Sequence, residues 1–231
     1  MKTLTFGIPS KGRLMEQAAE ILAAAGFPIE RNGTERGYRG RLSGIEAVDV
    51  AFQSAGEIAH NLWNGKLDFG ITGEDLLHET GNAAGHDVSV FSHLDFGYAD
   101  VVIAVPECWL DVATSADLDE VSASFYSTHG RRLRVATKYP NLTRRFFTEK
   151  GITGYRIVES LGATEGAPAA GTAEFIVDIT TTGSTLAANH LKILDDGVIL
   201  QSRAVIGVHA SVVSDVRLSA LNAAFTKLRK I

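Results

Sequence analysis

Phe175-Ile176-Val177-Asp178-Ile179-Thr180-Thr181-Thr182-Gly183-Ser184-Thr185-Leu186 is the stretch on which the reading of this chain turns. Its first five residues form the most strand-like run of the second half, apolar enough to be buried. That run delivers one aspartate, then a hydroxyl- and glycine-rich turn, then the start of a helix. Successive backbone N–H groups, Thr and Ser hydroxyls and a helix N-terminus together suit a phosphate monoester. Gly183 lets the backbone approach the phosphate closely. Asp178, one turn away, is placed to accept hydrogen bonds from sugar hydroxyls. A threonine-rich turn after a strand also has a plainer explanation, helix capping alone. The aspartate at this spacing, behind a buried strand, favours phosphoribose.

The same strand-to-helix alternation runs outward in both directions, the sign of an α/β protein. Leu4–Ile8 has period two and opens the chain as a strand; Pro9 to Gly12 breaks it. A helix follows with apolar positions Leu14, Ala18, Ile21, Leu22 and Ala25, and Gly26 stands where a C-terminal glycine belongs. Val48–Phe52 and Phe69–Gly73 read as strands, with helical spacing from Glu57 to Asn64 and a helix start at Glu74-Asp75. A second series begins near Asp100: strands Val101–Val105, Arg134–Thr137 and Phe175–Ile179, with a helix from Leu142 to Lys150. Leu186 to Leu194 is expected as helix, Ala204 to Val213 as strand and Asp215 to Lys230 as an amphipathic helix with the stripe Val216, Leu218, Leu221, Phe225, Leu228. Asp117 to Arg132 is polar and patternless, and is expected as a loop or irregular hairpin. No repeat and no low-complexity linker is present, so two α/β lobes sharing a crevice are predicted, with ligand beyond the strands' carboxyl ends.

Composition narrows the function classes. With 231 residues, 45% hydrophobic and 21% charged, the chain has ordinary globular usage and enough length to bury a core without staples. Its 22 basic and 27 acidic residues leave a net charge of −5. An acidic chain has no global electrostatic reason to bind nucleic acid or an anionic membrane. The single cysteine, Cys108, cannot form an internal disulfide. No signal peptide and no membrane helix is visible in the sequence, so a cytoplasmic location is expected.

Two further segments carry positive charge. Pro9-Ser10-Lys11-Gly12-Arg13-Leu14 places two cations and a glycine at a strand-to-helix junction, which suits polyphosphate. Arg31, Arg36, Arg39 and Arg41 cluster in a glycine-containing loop soon after it. No P-loop, strand-linked G-x-G-x-x-G, H-E-x-x-H or G-x-S-x-G sequence occurs. P-loop hydrolysis, dinucleotide redox chemistry and zinc-protease chemistry therefore lose support.

Taken together, these residues resemble the ATP phosphoribosyltransferases, short form, which open histidine biosynthesis. The resemblance is carried by Lys11-Gly12-Arg13-Leu14, Leu67 to Leu76, Arg134 to Leu142, Gly162-Ala163-Thr164-Glu165 and the loop from Asp178 to Thr185. It implies an α/β fold of two periplasmic-binding-protein type II-like lobes with the active site in the crevice between them. Domain I would comprise 1–95 and 204–231, and domain II 96–203 with the phosphoribosyl-binding loop. The implied reaction joins N1 of ATP to C1 of 5-phosphoribosyl-1-pyrophosphate, releasing pyrophosphate with Mg²⁺ carried on the substrate and no metal ligand from the protein. Asp178 would hold the ribose hydroxyls, Thr181, Thr182, Gly183, Ser184 and Thr185 the 5-phosphate, and Lys11 and Glu165 the rest of that substrate. Arg13, Arg36, Asp75 and Tyr139 would serve ATP, with Arg13, Arg36 and Asp178 as the catalytic set.

Two positions depart from the pattern on the ATP side. Ser54, with Gln53 before it, stands where many relatives carry arginine, and Glu74 where many carry lysine or arginine. The resemblance also implies a homodimer in isolation and a hetero-oligomer with a regulatory subunit similar to a histidyl-tRNA synthetase core. On this reading the chain has no room for the long form's histidine-binding domain, so histidine would inhibit only once that partner is added. Two rivals are weighed here. A salvage phosphoribosyltransferase usually places two adjacent acids before the loop, whereas Val177 precedes Asp178. A solute-binding protein of the same architecture would normally be exported.

Overall fold

The computed structural model describes residues 2–31, 38–81 and 87–228. The chain divides into two compact units, Met1–Gly97 with Arg203–Ile231, and Tyr98–Ser202. The breaks thus fall at 97/98 and 202/203, where the sequence reading put them at 95/96 and 203/204.

The first unit opens with β1 (Leu4–Pro9), α1 (Arg13–Ala24), β2 (Ile29–Arg31), β3 (Arg39–Leu42), β4 (Val48–Gln53) and α2 (Ala55–Trp63), followed by β5 (Phe69–Gly73), α3 (Glu74–Thr80) and β6 (Val88–His93). The second unit comprises β7 (Ala99–Pro106), α4 (Ser115–His129), β8 (Leu133–Thr137), α5 (Pro140–Lys150), β9 (Tyr155–Glu159), β10 (Phe175–Thr180), α6 (Ser184–Ala188) and β11 (Leu191–Ser202). The chain then returns to the first unit with β12 (Ala204–His209) and α7 (Val216–Leu228).

The first sheet has the order β2-β3-β4-β1-β5-β12-β6, with β4, β1 and β5 parallel and β12 antiparallel between β5 and β6. One face packs Phe6, Ile8, Val50, Phe69 and Ile71 against Ala18 and Leu22 of α1 and Leu218, Leu221 and Phe225 of α7. The other face meets α2 and α3 through Ile58, Leu62 and Leu77. Gly7, Gly70 and Gly207 lie side by side across β1, β5 and β12. A Cβ on Gly70 would sit 2.6 Å from Ile58 Cγ2, and one on Gly207 2.9 Å from Leu62 Cδ1. This glycine row is what lets α2 lie directly on the sheet. Arg217, buried at the start of α7, donates to the Lys2 and Ala47 carbonyls at 3.0 and 2.8 Å and pairs with Asp215 at 2.7 Å. It pins α7 to the β1–β4 margin.

The second sheet runs β11-β7-β10-β8-β9, with β10, β8 and β9 parallel and β7 antiparallel to both its neighbours. Ile176, Val102, Ala104 and Ala136 form its core with Leu186 and Leu191. Phe147 of α5 packs against Phe175 and edge-on to Tyr155.

Several sequence expectations are corrected. Asp117 to Arg132 is not a loop: α4 occupies most of it. A capping box between Thr114 and Asp117 starts the helix and Gly130, left-handed with φ 64°, stops it. Only Ser115, Leu118 and Ser122 are buried on it, so no apolar stripe announced it. Leu186 to Leu194 is not one helix either. It splits into short α6, a turn through His190 at φ 56°, and the beginning of β11. The expected strand Ala204 to Val213 ends at His209 and closes in a 3₁₀ turn, Ala210–Val212. In α7, Leu218, Leu221 and Phe225 are buried as expected, but Val216 is exposed. The Leu228 side chain lies outside the described residues. No helix among the described residues is long and apolar enough to cross a membrane.

Candidate functional site

In the second unit β10 ends at a cavity of about 350 Å³, lined by Ala99, Glu165 and Asp178 through Leu186, with Gly183 excepted. β10 is central, so its side chains pack on both faces and the carboxylate of Asp178 emerges from a rigid base. Two contacts fall on its Oδ1: the Ile179 N–H donates at 2.8 Å and the Lys138 ammonium lies at 3.4 Å. The turn beyond is internally bonded. Thr180 Oγ1 accepts from the Gly183 N–H at 2.9 Å, and Thr182 Oγ1 accepts from the Ser184 N–H at 3.3 Å and meets the Ser184 hydroxyl at 2.8 Å. Gly183 has φ 73°, a left-handed conformation that strains any other residue. Glu165 arrives from a 3₁₀ turn, Thr164–Gly166, entered through Ala163 at φ 49°. That outlying backbone sits at the one place where the turn must swing an acid towards the cavity. The structure therefore brings Glu165, Asp178, Thr181, Thr182, Ser184 and Thr185 together, with Gly183 shaping the turn between them.

Tyr139 does not line this cavity. It is buried as the residue preceding α5, its N–H donating to Thr137 Oγ1 at 2.8 Å, with Lys138 Nζ 5.3 Å from its ring centre.

The first unit holds a second, wider cavity of about 550 Å³ beside α2. Its polar lining includes Ser10, Lys11, Tyr38, Arg39, Gln53, Ser54, Glu57 and Lys66. Lys11 is thus placed in it, whereas Arg13, exposed at the first position of α1, and buried Asp75 are not among its lining residues. Arg36 lies outside the described residues. Arg39 and Lys66 were not singled out as site residues in the sequence. The signal for Arg39 was its place in the arginine cluster; Lys66, after the Asn64-Gly65 turn, gave none. Within that cluster Arg31 does not line the cavity itself, but its guanidinium lies 4.1 Å from the ring centre of Phe52, which does.

The two departures from the family pattern have structural work of their own. Ser54 caps α2: its hydroxyl and N–H contact Glu57 Oε2 at 2.7 and 2.8 Å, and its Oγ accepts from the Glu57 N–H. Those bonds from the Ser54 hydroxyl and backbone hold the Glu57 carboxyl below its ordinary range. Among the described residues, the one carboxylate lining this cavity is therefore tied to a helix start, while Lys11, Arg39 and Lys66 supply positive charge. Glu74 faces two imidazoles, His93 Nε2 at 3.1 Å and His78 Nε2 at 3.8 Å. Among the described residues no group of three or more His, Cys, Asp or Glu is arranged to hold a metal ion.

The family model described as ATP phosphoribosyltransferase matches residues 54–230. The chain is 61% identical over 204 residues to an ATP phosphoribosyltransferase of Mesorhizobium japonicum, covering 87% of each chain. It is 58% identical over 207 residues to that of Chelativorans sp. strain BNC1, covering 89% of this chain and 90% of the other. Among solved structures it resembles the ATP phosphoribosyl transferase (HisG:HisZ) complex from Thermotoga maritima, with a TM-score of 0.72, 26% identity and coverage of 97% and 99%. A substrate-binding domain of a putative amino acid ABC transporter from Streptococcus pneumoniae shares the fold alone, at a TM-score of 0.51 and 14% identity over 98% of this chain and 94% of the other. The two-sheet α/β architecture is thus that of type II periplasmic-binding-protein-like domains.

Proposed function

The chain belongs to the ATP phosphoribosyltransferase family, the enzymes of the first step of histidine biosynthesis, and from that premise we propose how its own residues divide the work. The reaction transfers the 5-phosphoribosyl group of 5-phosphoribosyl-1-pyrophosphate to N1 of ATP and releases pyrophosphate. Adenine N1 carries a lone pair and no proton, so its attack requires no obligatory general base. The help needed lies in holding the ribose, steadying its cationic transition state and drawing off the leaving pyrophosphate.

The second unit's cavity holds the phosphoribosyl group in this reading. The observation that carries it is the convergence of Asp178, Glu165 and the Thr181–Thr185 turn on one concavity of about 350 Å³. Asp178 accepts from the ribose hydroxyls. Thr181, Thr182, Ser184 and Thr185 offer hydroxyls and N–H groups to the 5-phosphate, with Gly183 admitting it closely. Glu165, across the same cavity, faces the ribose. In the first unit Lys11 takes pyrophosphate oxygens and Arg13 and Arg36 the phosphates of pyrophosphate and ATP. Arg39 and Lys66 join Lys11 as anion binders, supplying the positive charge that Ser54 and Glu74 do not. Asp75 and Tyr139 serve the ATP side. Mg²⁺ would ride on the pyrophosphate oxygens, which suits a hard cation that keeps several waters, and would neutralise charge on that group.

A regulatory partner completes the proposal: a homodimer alone, the chain would join a histidyl-tRNA-synthetase-like subunit in the cytoplasm. The similar Thermotoga maritima structure, a HisG:HisZ complex by its name, supports the hetero-oligomeric part of this reading. Pyrophosphate release with ATP and 5-phosphoribosyl-1-pyrophosphate, set against adenine or guanine as acceptor, tests the substrate assignment. Preference for a free base would overturn it. Calorimetric titration with histidine should show no tight site in the isolated chain, and inhibition should appear only when the partner is added.

A further inference from the structure

Lys138 enters neither cavity lining, yet its position is closely specified. β10 and β8 are parallel neighbours with Val177 beside Thr137, so the next residues along, Asp178 and Lys138, also lie side by side. The Asp178 side chain is only 12% exposed, and that of Lys138 is 40% exposed. A carboxylate so withdrawn from water is costly without a partner charge or several donors. The ammonium supplies that charge at 3.4 Å from Oδ1, where the Ile179 N–H already donates at 2.8 Å. The ammonium also lies 5.3 Å from the ring centre of Tyr139, which is itself buried and tied to Thr137. The lysine thus contacts both an anion and an aromatic ring, and both described contacts of the carboxylate fall on one oxygen.

We infer that Lys138 is a positioning residue for the transfer: with the Ile179 N–H it clamps Oδ1 of Asp178 and so leaves Oδ2 to receive the ribose hydroxyls. The inference rests on the assignment of Asp178 to the ribose diol. Lys138 touches no substrate in this role. It sets the direction in which a buried acceptor points, which is the sort of support a binding group needs from its surroundings.

The test uses the intact enzyme and two probes, ribose 5-phosphate and 2-deoxyribose 5-phosphate, as competitors of 5-phosphoribosyl-1-pyrophosphate. The unaltered enzyme should favour the ribose form by about tenfold or more, the scale of a hydrogen bond to a charged acceptor. Lys138→Met keeps an unbranched stem of nearly the same length but removes the charge, and should lower that preference by roughly three- to tenfold. Lys138→Arg should restore it. Lys138→Met combined with Asp178→Asn should discriminate no worse than Asp178→Asn alone, as expected of two groups acting as a unit. Should Lys138→Met fail to fold, Lys138→Gln reads the same quantity. A structural role alone would lower the melting temperature and leave the preference intact. If the preference collapses in Asp178→Asn but survives in Lys138→Met, the inference falls and the Asp178 assignment stands. If it survives in Asp178→Asn, both fall.

Discussion

The two cavities present anion-binding groups by opposite means. In the second unit the groups come from one short segment, Asp178 to Leu186, plus Glu165, and they are short side chains and backbone N–H groups fixed by a central strand. In the first unit the charges sit at the ends of long side chains drawn from three separated places: Lys11 after β1, Arg39 on β3 and Lys66 before β5. A contiguous site of short groups recognises shape and hydroxyl pattern. A dispersed site of mobile cations recognises charge and tolerates variation in where each cation originates. On the proposed reading, that contrast lets Ser54 stand at the first cavity without a cation there while the Asp178–Thr185 turn keeps its form.

The strongest way to break the contrast is Asp178→Asn. A charged acceptor lost from a buried position should reduce kcat/KM for 5-phosphoribosyl-1-pyrophosphate about ten- to hundredfold while the chain stays folded. The defect should persist at high salt, because the bond is short and shielded. Wild-type kinetics would remove Asp178 from the site.

The next effect is smaller and should behave differently. Arg39→Ala and Lys66→Ala are each expected to raise KM for ATP roughly fivefold, the scale of one exposed charge contact. Their effect should fade as salt rises, since the screening length falls from about 10 Å at 0.1 M to about 3 Å at 1 M. Equal salt dependence for these variants and for Asp178→Asn would erase the distinction between the two cavities. Arg13→Ala sharpens it further. If Arg13 acts on pyrophosphate as it leaves, kcat should fall more than ATP affinity; a raised KM with kcat unchanged would make it a plain binding residue.

The smallest effects concern stability, where each unit carries its own acid-labile tie. Burial would raise the Glu174 carboxyl, but hydrogen bonds from the Arg134 and Arg131 side chains and the Arg134 N–H outweigh it and hold the group at about 2. Arg217 holds Asp215 at about 2 through side-chain and backbone hydrogen bonds. Both groups lie below their ordinary values of 4.5 and 3.8, so the stability they contribute is present above those values and lost as pH falls towards 2. Glu174→Gln and Asp215→Asn should each lower the melting temperature at neutral pH by roughly 2–4 °C, the scale of one modest interaction in a chain this size. Each should also flatten the further fall between pH 4.5 and 2. An unchanged acid slope would show that these pairs contribute nothing.

What could be read in advance follows from burial. β1, β4, β5, β7, β8, β10 and β12 lie inside their sheets or beside covered neighbours and appear in the sequence as apolar or alternating runs such as Val101–Val105. The edge strands β2, β6, β9 and β11 did not. Tyr155–Glu159, for example, is half-exposed and never more than partly buried, so its composition is mixed. β11 hid for a second reason: register shifts between Ile193 and Leu200 break its alternation, so Leu191 and Leu194 mimic helical spacing. The site divides in the same way. The phosphoribosyl turn was legible because its groups are consecutive, whereas Arg39 and Lys66 meet Lys11 only through the pairing of β3 and β4 and the turn into β5. Tyr139 and Asp75 are named only through the resemblance, and both are buried outside the two cavity linings.

The placement of β12 between β5 and β6 has a consequence for how the protein is made. A ribosome emits residues in order, so everything the second unit needs is available once Ser202 has emerged. The first unit must wait for β12, an inner strand, and for Leu218, Leu221 and Phe225 of α7 to complete its core. Birth order and folding order are therefore inverted: the middle of the chain can close while its older N-terminal third still has an open sheet edge at β5. Nascent chains stalled with Ser202 outside the ribosome and β12 still inside it should show protease protection over 98–202 and little over 1–97, and a chain ending between Ser202 and β12 would have one finished unit and one exposed, aggregation-prone half-sheet.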